Sequence, residues 1–438
     1  MRSFVVRGVC YSRCVKFVHA ADLHIDSPQR GLDKYEGAPA VRLRAATRRA
    51  LENLVALCIE ERAAFLLLAG DVFDGGWKDF STGLFFASQM SRLREANVPV
   101  VIVRGNHDAQ SSITKSLKLP DNVHELSSKK PETFELEGAG ACVHGQSFAK
   151  QATTDDLAAR YPDAVRGAFN IGLLHTCLDG REGHDRYAPT SLETMRAKGY
   201  DYWALGHVHA REVLSTDPWI VFPGNLQGRH AKETGPKGAS LVTVEGGAVK
   251  AVEHRALDVV RWEHLTVDAT DASDVHEVVD RVRDALVKTA ESCPERLLAA
   301  RISVAGATRA NGVLRNDLDQ LEAQLRVAAN DALADSVWLE KVLVHTRSTF
   351  DLAKVREEAG AVGHLARRLA AIKGDPAELA EIVALLSDLD KKLPSELREG
   401  DGAMVLSDPE VIRAIVEDVE QTLLPRLLES PGAEGSAG

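Results

Sequence analysis

The sequence predicts an α/β region carrying the chemistry, then a small α+β domain and a helical C-terminal region. Three observations lead there. Between residues 16 and 206, short apolar runs recur, and each ends in a loop rich in Gly, Asp and His. Helical spacing fills the intervals between the first three runs, and strands alternating with helices define an α/β domain. Beyond residue 261 strand and helix patterns alternate over a shorter span, and beyond residue 351 only helical spacing remains. A chain of 438 residues is too long for one ordinary core, so two or three domains are expected.

Taken in order, residues 1–15 read as a dispensable extension in which Arg2, Arg7 and Arg13 break every apolar run, unlike a signal peptide. The first strand, residues 16–21, runs into Asp22-Leu-His24. Residues 41–63 place Leu43, Leu51, Leu54, Val55 and Cys58 at helical spacing. The second strand, 64–69, runs into Gly70-Asp71-Val-Phe-Asp74. A second helix covers 82–96, and the third strand, 98–103, runs into Gly105-Asn106-His107-Asp108. Two further strands, 170–174 and 200–205, run into His175 and into Gly206-His207-Val-His209. Short apolar runs bounded by Gly and Asp mark buried strands, and functional groups in such folds collect on loops leaving one sheet edge. Strands at 219–222, 239–245 and 248–255 are expected to finish a second sheet packed on the first, so the catalytic domain spans 16–258.

Residues 259–350 read as an α+β capping domain, with strands at 262–267, 297–304 and 337–345 and helices at 272–292 and 314–333. Residues 351–429 read as helical. Asp375-Pro376 with Glu378 starts a helix that carries Leu379, Ile382, Val383, Leu386 and Leu389. Ser407 with Glu410 is expected to form a capping box for a helix bearing Ile412, Val416, Val419 and Leu423 on one face. Residues 430–438 read as a disordered tail.

The formal net charge is −11. Nucleic-acid binders draw most of their affinity from cations that neutralise phosphates, so this balance argues against a stand-alone DNA clamp. It leaves room for an acidic metal site, or for a partner that holds DNA. Cysteines at 10, 14, 58, 142, 177 and 293 show no zinc-finger spacing and read as free thiols of a cytoplasmic protein. No run reaches the ~18 apolar residues of a membrane span.

The strand ends collect Asp22, His24, Asp71, Asp74, Asn106, His107, Asp108, His175, His207 and His209, with five of the chain's fifteen histidines. Taken singly, a strand-end His is more often a packed residue, Asp71 and Asp74 read as helix caps, and Asn106–Asp108 as a turn. Together, each directly after an apolar run, they read as a metal site. Carboxylate with imidazole suits Mn²⁺, Fe²⁺ or Zn²⁺, whereas Mg²⁺ prefers oxygen donors. Asp-x-His and His-x-His can each present two donors to one ion from an extended or turning backbone. Gly70, Gly105 and Gly206 are expected to let the chain turn sharply at the strand ends.

These motifs, Asp22-x-His24, Gly70-Asp71-x-x-Asp74, Gly105-Asn106-His107-Asp108, His175 and Gly206-His207-x-His209, together resemble the full signature of the calcineurin-like metallophosphoesterases over residues 16–255. The resemblance implies two sheets face to face with helices outside. It implies one ion held by Asp22, His24, Asp71 and His209 and a second by Asp71, Asn106, His175 and His207, with Asp71 bridging. Mn²⁺ is the first expectation for both. Two cations about 3.5–4 Å apart clamp a phosphate and generate hydroxide for in-line attack. By the same resemblance His107 is the acid that protonates the leaving oxygen, oriented by Asp108 or Asp74.

Within that superfamily, serine/threonine protein phosphatases carry an Arg-Gly after the second Asp and a Glu where this chain has Asp108. Here Asp74 is followed by Gly75-Gly76, which counts against them. Asp22-Leu-His24-Ile-Asp-Ser-Pro28 is similar to the opening of the bacterial SbcD-type and related DNA-repair exonucleases, and residues 222–238 look like a segment of one bacterial subgroup of them. Those enzymes carry a capping domain and then helices that bind a coiled-coil, SMC-like ATPase, matching the outline beyond residue 261. Their archaeal and eukaryotic relatives usually have His where this chain has Asp74. The resemblance implies DNA as substrate, with Arg229, His230 and Lys232 as candidate phosphate contacts beside the plainer reading of a solvated turn. It leaves a homodimer open. His184, Asp185 and Tyr187 read as loop packing ahead of a site role. The competing functions are a small-nucleotide phosphodiesterase or pyrophosphatase, which needs no such C-terminal extension, and an inactive scaffold, which needs no complete ligand set.

Overall fold

The computed structural model describes residues 14–27, 39–74, 80–111, 117–178, 188–398 and 403–429. Residues 1–13 of the expected extension, the expected tail, Cys10, and His184, Asp185 and Tyr187 lie outside the described residues, whereas Val15, also assigned to the extension, begins the first strand. The described chain forms two compact units. One runs through residue 263 and includes Cys293–Ala300; the other comprises His264–Ser292 and the residues from Arg301 onward.

In the first unit, β1 (Val15–Ala20), β2 (Leu66–Ala69), β3 (Val100–Val103) and β4 (Val123–Glu125) lie parallel. A second sheet is built from β5 (Glu132–Leu136), β6 (Ala141–Gly145), β7 (Phe169–His175), β8 (Tyr202–Gly206), β9 (Glu212–Thr216) and β10 (Trp219–Phe222), in the order β5-β6-β7-β8-β10-β9. The chain then returns. β11 (Gly238–Glu245) pairs antiparallel with β1, Phe17 opposite Val242, and β12 (Ala248–Ala256) flanks it, giving the order β12-β11-β1-β2-β3-β4. This corrects one expectation: of the three strands assigned to completing the second sheet, only β10 does so, and β11 and β12 extend the first. The pattern of apolar residues reports that a strand is buried but not which neighbour buries it.

The sheets face each other, and side-chain alternation explains the continuous apolar runs. Phe17, Phe65, Leu67, Val101, Val103, Ile171, Leu173 and Tyr202 fill the layer between them. Val18, Leu66, Leu68, Val100 and Ile102 point the other way, against Leu51, Leu54, Phe86 and Met90 of the helices α1 (Ala40–Glu60) and α2 (Phe80–Glu95). Trp203, Leu205, Ile220 and Phe222 cover the outer face of the second sheet with Phe148 and Tyr161. Each central strand is thus apolar on both faces. The buried His19 is paired, meeting the Tyr202 hydroxyl at 3.0 Å and the Leu205 carbonyl at 3.1 Å, and is structural.

A third, three-stranded sheet is built from β13 (Val260–Asp268), β14 (Leu297–Ala307) and β15 (Val337–Arg347) in that order, with the helices Val275–Glu291 and Leu318–Leu333 falling between its strands in chain order. The continuous helix expected over 314–333 is interrupted. A short helix, Asn311–Asn316, stops at Asp317, whose carboxylate accepts the Gln320 N–H at 2.9 Å and caps the next helix. The C-terminal helices bury one another through Val355, Ala366, Leu369, Leu379, Ile412, Val416 and Leu424. The cap of the last one, Pro409–Glu429, is Asp408 rather than Ser407, its carboxylate accepting the Glu410 N–H at 2.9 Å. Leu385 and Leu389 of the helix Pro376–Asp390 stay 82% and 51% exposed. No helix among the described residues is long and apolar enough to cross a membrane. The cysteines described are all free.

Candidate metal centre

The loops leaving β1, β2 and β3 of one sheet and β7 and β8 of the other converge at one edge. Asp22, His24, Asp71 and His207 all adopt positive φ, at 53°, 42°, 54° and 103°. Non-glycine residues enter this region rarely, and strain there persists only where the surroundings over-determine it. Here the first two loops zip together: the Asp22, His24 and Ile25 amides donate to the Gly70, Asp71 and Val72 carbonyls at 3.0 Å each. The His207 amide donates to the Asp22 carboxylate at 2.9 Å, and the His107 amide to Asp71 Oδ1 at 3.0 Å. The three motif glycines do not share one cause. Gly70 has φ +90°, as a sharp turn requires. At Gly105 and Gly206 the need is close approach, since a Cβ would fall 2.2 Å from Asp71 Oδ1 and 1.8 Å from the Ala69 carbonyl oxygen.

Two clusters result. Asp22, His24 and His209 form one, and Asp71, His175 and His207 the other, with donor atoms in each group within 4.8 Å of one another. Asn106 joins the second, its Oδ1 2.9 Å from His175 Nε2. Asp71 Oδ2 lies between the clusters, 3.9 Å from His24 Nε2 and 3.4 Å from His175 Nε2. The residues expected to hold two ions are therefore brought together.

The donor set fits cations. Asp22 and Asp71 are 1% and 2% exposed, and burial pushes their carboxyls up to about 7 and about 6. Buried neighbouring carboxylates of this kind stay ionised only beside positive charge. His175 Nδ1 donates to the Ala69 carbonyl at 2.9 Å. Its Nε2 is then a lone pair, because burial holds the ring neutral, pushing its pKa down to about 3. That lone pair faces the Asp71 carboxylate, and a cation between them would satisfy both. At His209, Nδ1 donates to Glu233 at 2.6 Å while Nε2 points at His24 Nε2, 3.3 Å away.

His107 stands at the mouth, its side chain 38% exposed. Its Nδ1 lies 2.7 Å from Asp74 Oδ1, and its ring centroid 5.0 Å from that of His24. This hydrogen bond raises the His107 pKa and holds Asp74 down at about 2; Ser27 Oγ donates to the other Asp74 oxygen at 2.7 Å. Of the two carboxylates expected to orient His107, only Asp74 makes the contact. Asp108 turns inward and accepts the Val72, Phe73 and Gly105 amides at 3.2, 2.9 and 3.2 Å. It is 3% exposed and clamps the second and third loops together. The placement of Asp108 as a catalytic partner of His107 is thereby corrected. His24, Asp74 and His107 also form a compact donor group, but the His107–Asp74 hydrogen bond already engages two of its members.

Of the candidate phosphate contacts, Arg229 reaches the site: its Nη1 donates to Ser27 Oγ at 3.3 Å and its side chain is 18% exposed. His230 and Lys232 lie on the outer turn of the same segment, His230 with its ring more than half exposed. Reading the sequence missed Glu233. It is 6% exposed, and although burial opposes ionisation, His209 and Arg229 hold its carboxyl well below the usual carboxylate range. Its signal was its place three residues beyond His230 in an otherwise basic turn.

Known proteins share this arrangement. Residues 15–211 match the family described as calcineurin-like phosphoesterase, and residues 262–347 match the middle domain of metallophosphoesterase YhaO. The chain is 40% identical over 276 residues to the uncharacterized metallophosphoesterase YhaO of Bacillus subtilis, covering 62% of this chain and 67% of that protein. It is 23% identical over 287 residues to the DNA double-strand break repair protein Mre11 of Sulfurisphaera tokodaii, covering 61% of this chain and 69% of that one. With Mre11 of Saccharolobus solfataricus the identity is 24% over 214 residues, 47% of this chain and 52% of that one. A two-sheet core whose loops gather Asp22, Asp71, Asn106, His175, His207 and His209 at one edge, matched over that span, makes this chain a member of the calcineurin-like metallophosphoesterases, a family of metal-dependent phosphoester hydrolases.

Proposed function

We propose that the chain is a two-metal phosphodiesterase that degrades DNA as an exonuclease in repair, together with a coiled-coil ATPase. The observation that carries the phosphodiester reading is the pairing of the two clusters with an acid placed outside them: His107, backed by Asp74, ligates nothing in this scheme and faces the opening. Similarity to two DNA double-strand break repair proteins, both Mre11, supports DNA as the substrate.

Asp22, His24, Asp71 and His209 would hold one divalent ion, and Asp71, Asn106, His175 and His207 the second, with Mn²⁺ the best match to mixed carboxylate, imidazole and amide donors. Bound, the pair supplies hydroxide at neutral pH and neutralises charge on the phosphate. The protein's own groups do the rest. Asp71 Oδ1, tied to the His107 amide, fixes the spacing between ligand loop and acid. His107 donates its proton to the departing oxygen, and Asp74 keeps the imidazolium oriented and charged until then. Arg229, beside Ser27, would contact a non-bridging phosphate oxygen or the adjacent backbone phosphate, and His230 and Lys232 would extend that cationic edge outward. The acidic balance of the whole chain leaves the remaining DNA affinity to the partner.

The test is a set of three substrates in Mn²⁺: end-labelled duplex DNA, single-stranded DNA and bis-nitrophenyl phosphate. Cleavage of all three, with products appearing from the DNA ends, is expected. Hydrolysis confined to small esters and nucleotides, with both DNAs untouched even when a coiled-coil ATPase is added, would favour a nucleotide phosphodiesterase.

A further inference from the structure

The segment from Phe222 to Gly238 holds His209 by its backbone carbonyl and its ring Nδ1. The His209 carbonyl accepts the Asn225 amide at 3.2 Å and Lys237 Nζ at 3.0 Å. Its ring Nδ1 meets Glu233 Oε1 at 2.6 Å. The other carboxylate oxygen, Oε2, accepts the Arg229 amide at 2.7 Å and Asn225 Nδ2 at 3.0 Å. Asn225 is itself fully buried. The turn is closely packed at Gly228, where a side chain would meet the Glu233 carbonyl at 2.7 Å and the Trp262 ring at 2.9 Å.

From this geometry we infer that Glu233 is a positioning residue that locks His209 in the Nδ1–H tautomer, presenting the Nε2 lone pair to the cluster of Asp22 and His24, and that a carboxylate is required for it. The proposal rests on the two-ion reading above. The chemistry of the donors explains the requirement. Donors face both oxygens, His209 Nδ1–H on one side and two N–H groups on the other, so no acceptor short of a carboxylate satisfies all of them. In Glu233→Gln the single carbonyl oxygen follows the two N–H groups, and the amide NH₂ is turned on His209 Nδ1. The ring relieves the clash by shifting its proton to Nε2, which removes the lone pair from the metal side. Outer partners that set a ligand's tautomer are worth 10–100-fold in metal affinity.

The experiment measures Mn²⁺ binding calorimetrically for the full chain as wild type, Glu233→Gln, Glu233→Asp, His209→Ala and the double variant Glu233→Gln/His209→Ala. In parallel, ¹⁵N-histidine NMR of the metal-free wild type reads the His209 tautomer. Glu233→Gln is expected to weaken one of two sites 10–100-fold and leave the other unchanged. Glu233→Asp, which keeps the charge, should lose less. In the His209→Ala background Glu233→Gln should add nothing, as coupling through one residue demands. Wild-type affinity at both sites in Glu233→Gln, equal loss at both sites, or a wild-type His209 protonated at Nε2 would overturn the proposal. Should Glu233→Gln fail to fold, the tautomer of the wild type and the affinity of Glu233→Asp still decide it. A wild type that binds fewer than two Mn²⁺ would instead sink the two-ion reading, while the tautomer measurement would still judge Glu233.

Discussion

Replacing Asp74 by Asn should move the alkaline limb of catalysis without touching the metals. Asp74 Oδ1 and His107 Nδ1 are 2.7 Å apart, with side chains 20% and 38% exposed. Two unit charges about 4 Å apart interact by roughly 4 kcal/mol at an effective dielectric of ~20, but that applies to groups better shielded than His107. A charge-assisted hydrogen bond nets about 1.5–3 kcal/mol, and solvent screening at this exposure favours the lower end. About 1.4 kcal/mol is one pKa unit. The sign follows from the direction: Asp74 raises the His107 pKa, so the proton needed by the leaving oxygen is present below that pKa and lost as pH rises through it. In Asp74→Asn the loss therefore begins about one pH unit lower. Bound ions depress His107 in both proteins alike, so the difference survives. The assay is kcat/KM against pH on a DNA oligonucleotide, with bis-nitrophenyl phosphate, whose leaving group needs little protonation, as the control. An alkaline limb that stays in place on DNA, in a variant that still binds two ions, would refute the pairing as the source of the acid.

Other outcomes follow from the same geometry. His107→Ala should keep both metals and lose about 10²–10⁴ in DNA cleavage, with a smaller loss on the nitrophenyl ester, whereas Asp71→Ala should lose metal and activity together; metal analysis beside rates separates them. Protein stripped with EDTA should be inactive and recover with Mn²⁺ far better than with Ca²⁺, and full activity in excess chelator with no bound metal would end the two-ion reading. Leu385→Glu with Leu389→Glu, at positions already facing solvent, should leave the melting temperature and small-ester hydrolysis unchanged while abolishing co-purification with a coiled-coil ATPase. Retained pull-down at full strength would move the partner surface elsewhere.

The first sheet was legible because its strands are sandwiched. A run such as Leu66–Ala69 is apolar at every position because alternate residues enter two different cores, one between the sheets and one under α1 and α2. What such a run withholds is its partner. β11 pairs with β1 across more than two hundred residues of sequence, and no local signal distinguishes that pairing from addition to β10. β4 and β5 escaped for the opposite reason. Their residues are half-buried, Val123–Glu125 and Glu132–Leu136 carrying Glu and His among the apolar positions, so no continuous run marks them. The break at Asp317 did carry a local signal. An Asn-Asp pair inside a helical pattern competes for backbone amides, and there the capping preference prevails over the hydrophobic spacing that runs through it.

The centre was legible to the degree that its ligands must be particular residue types at strand ends. Ligation needs Asp, His and Asn, and five such motifs in succession leave a mark that composition cannot imitate. Their supports leave none, because a support needs only an acceptor in the right place. Asp108 and Asp74 are both carboxylates, one adjacent to His107 in the chain and one 33 residues before it, and the sequence alone does not choose between them. The helical turn of Asn106–Gln110 carries Asp108 away from the imidazole and beneath the Val72 and Phe73 amides, next to the positive-φ Asp71. Asp74 instead arrives from the end of the β2 loop, where Ser27 of the first loop fixes its second oxygen. A chain with His at that place would offer a second imidazole; this one offers an anion. An anion there makes His107 a stronger holder of its proton, and in the proposed mechanism the acid step depends on one histidine and its carboxylate alone. That is why the Asp74→Asn profile, more than any loss of rate, discriminates between this arrangement and one in which two histidines share the work.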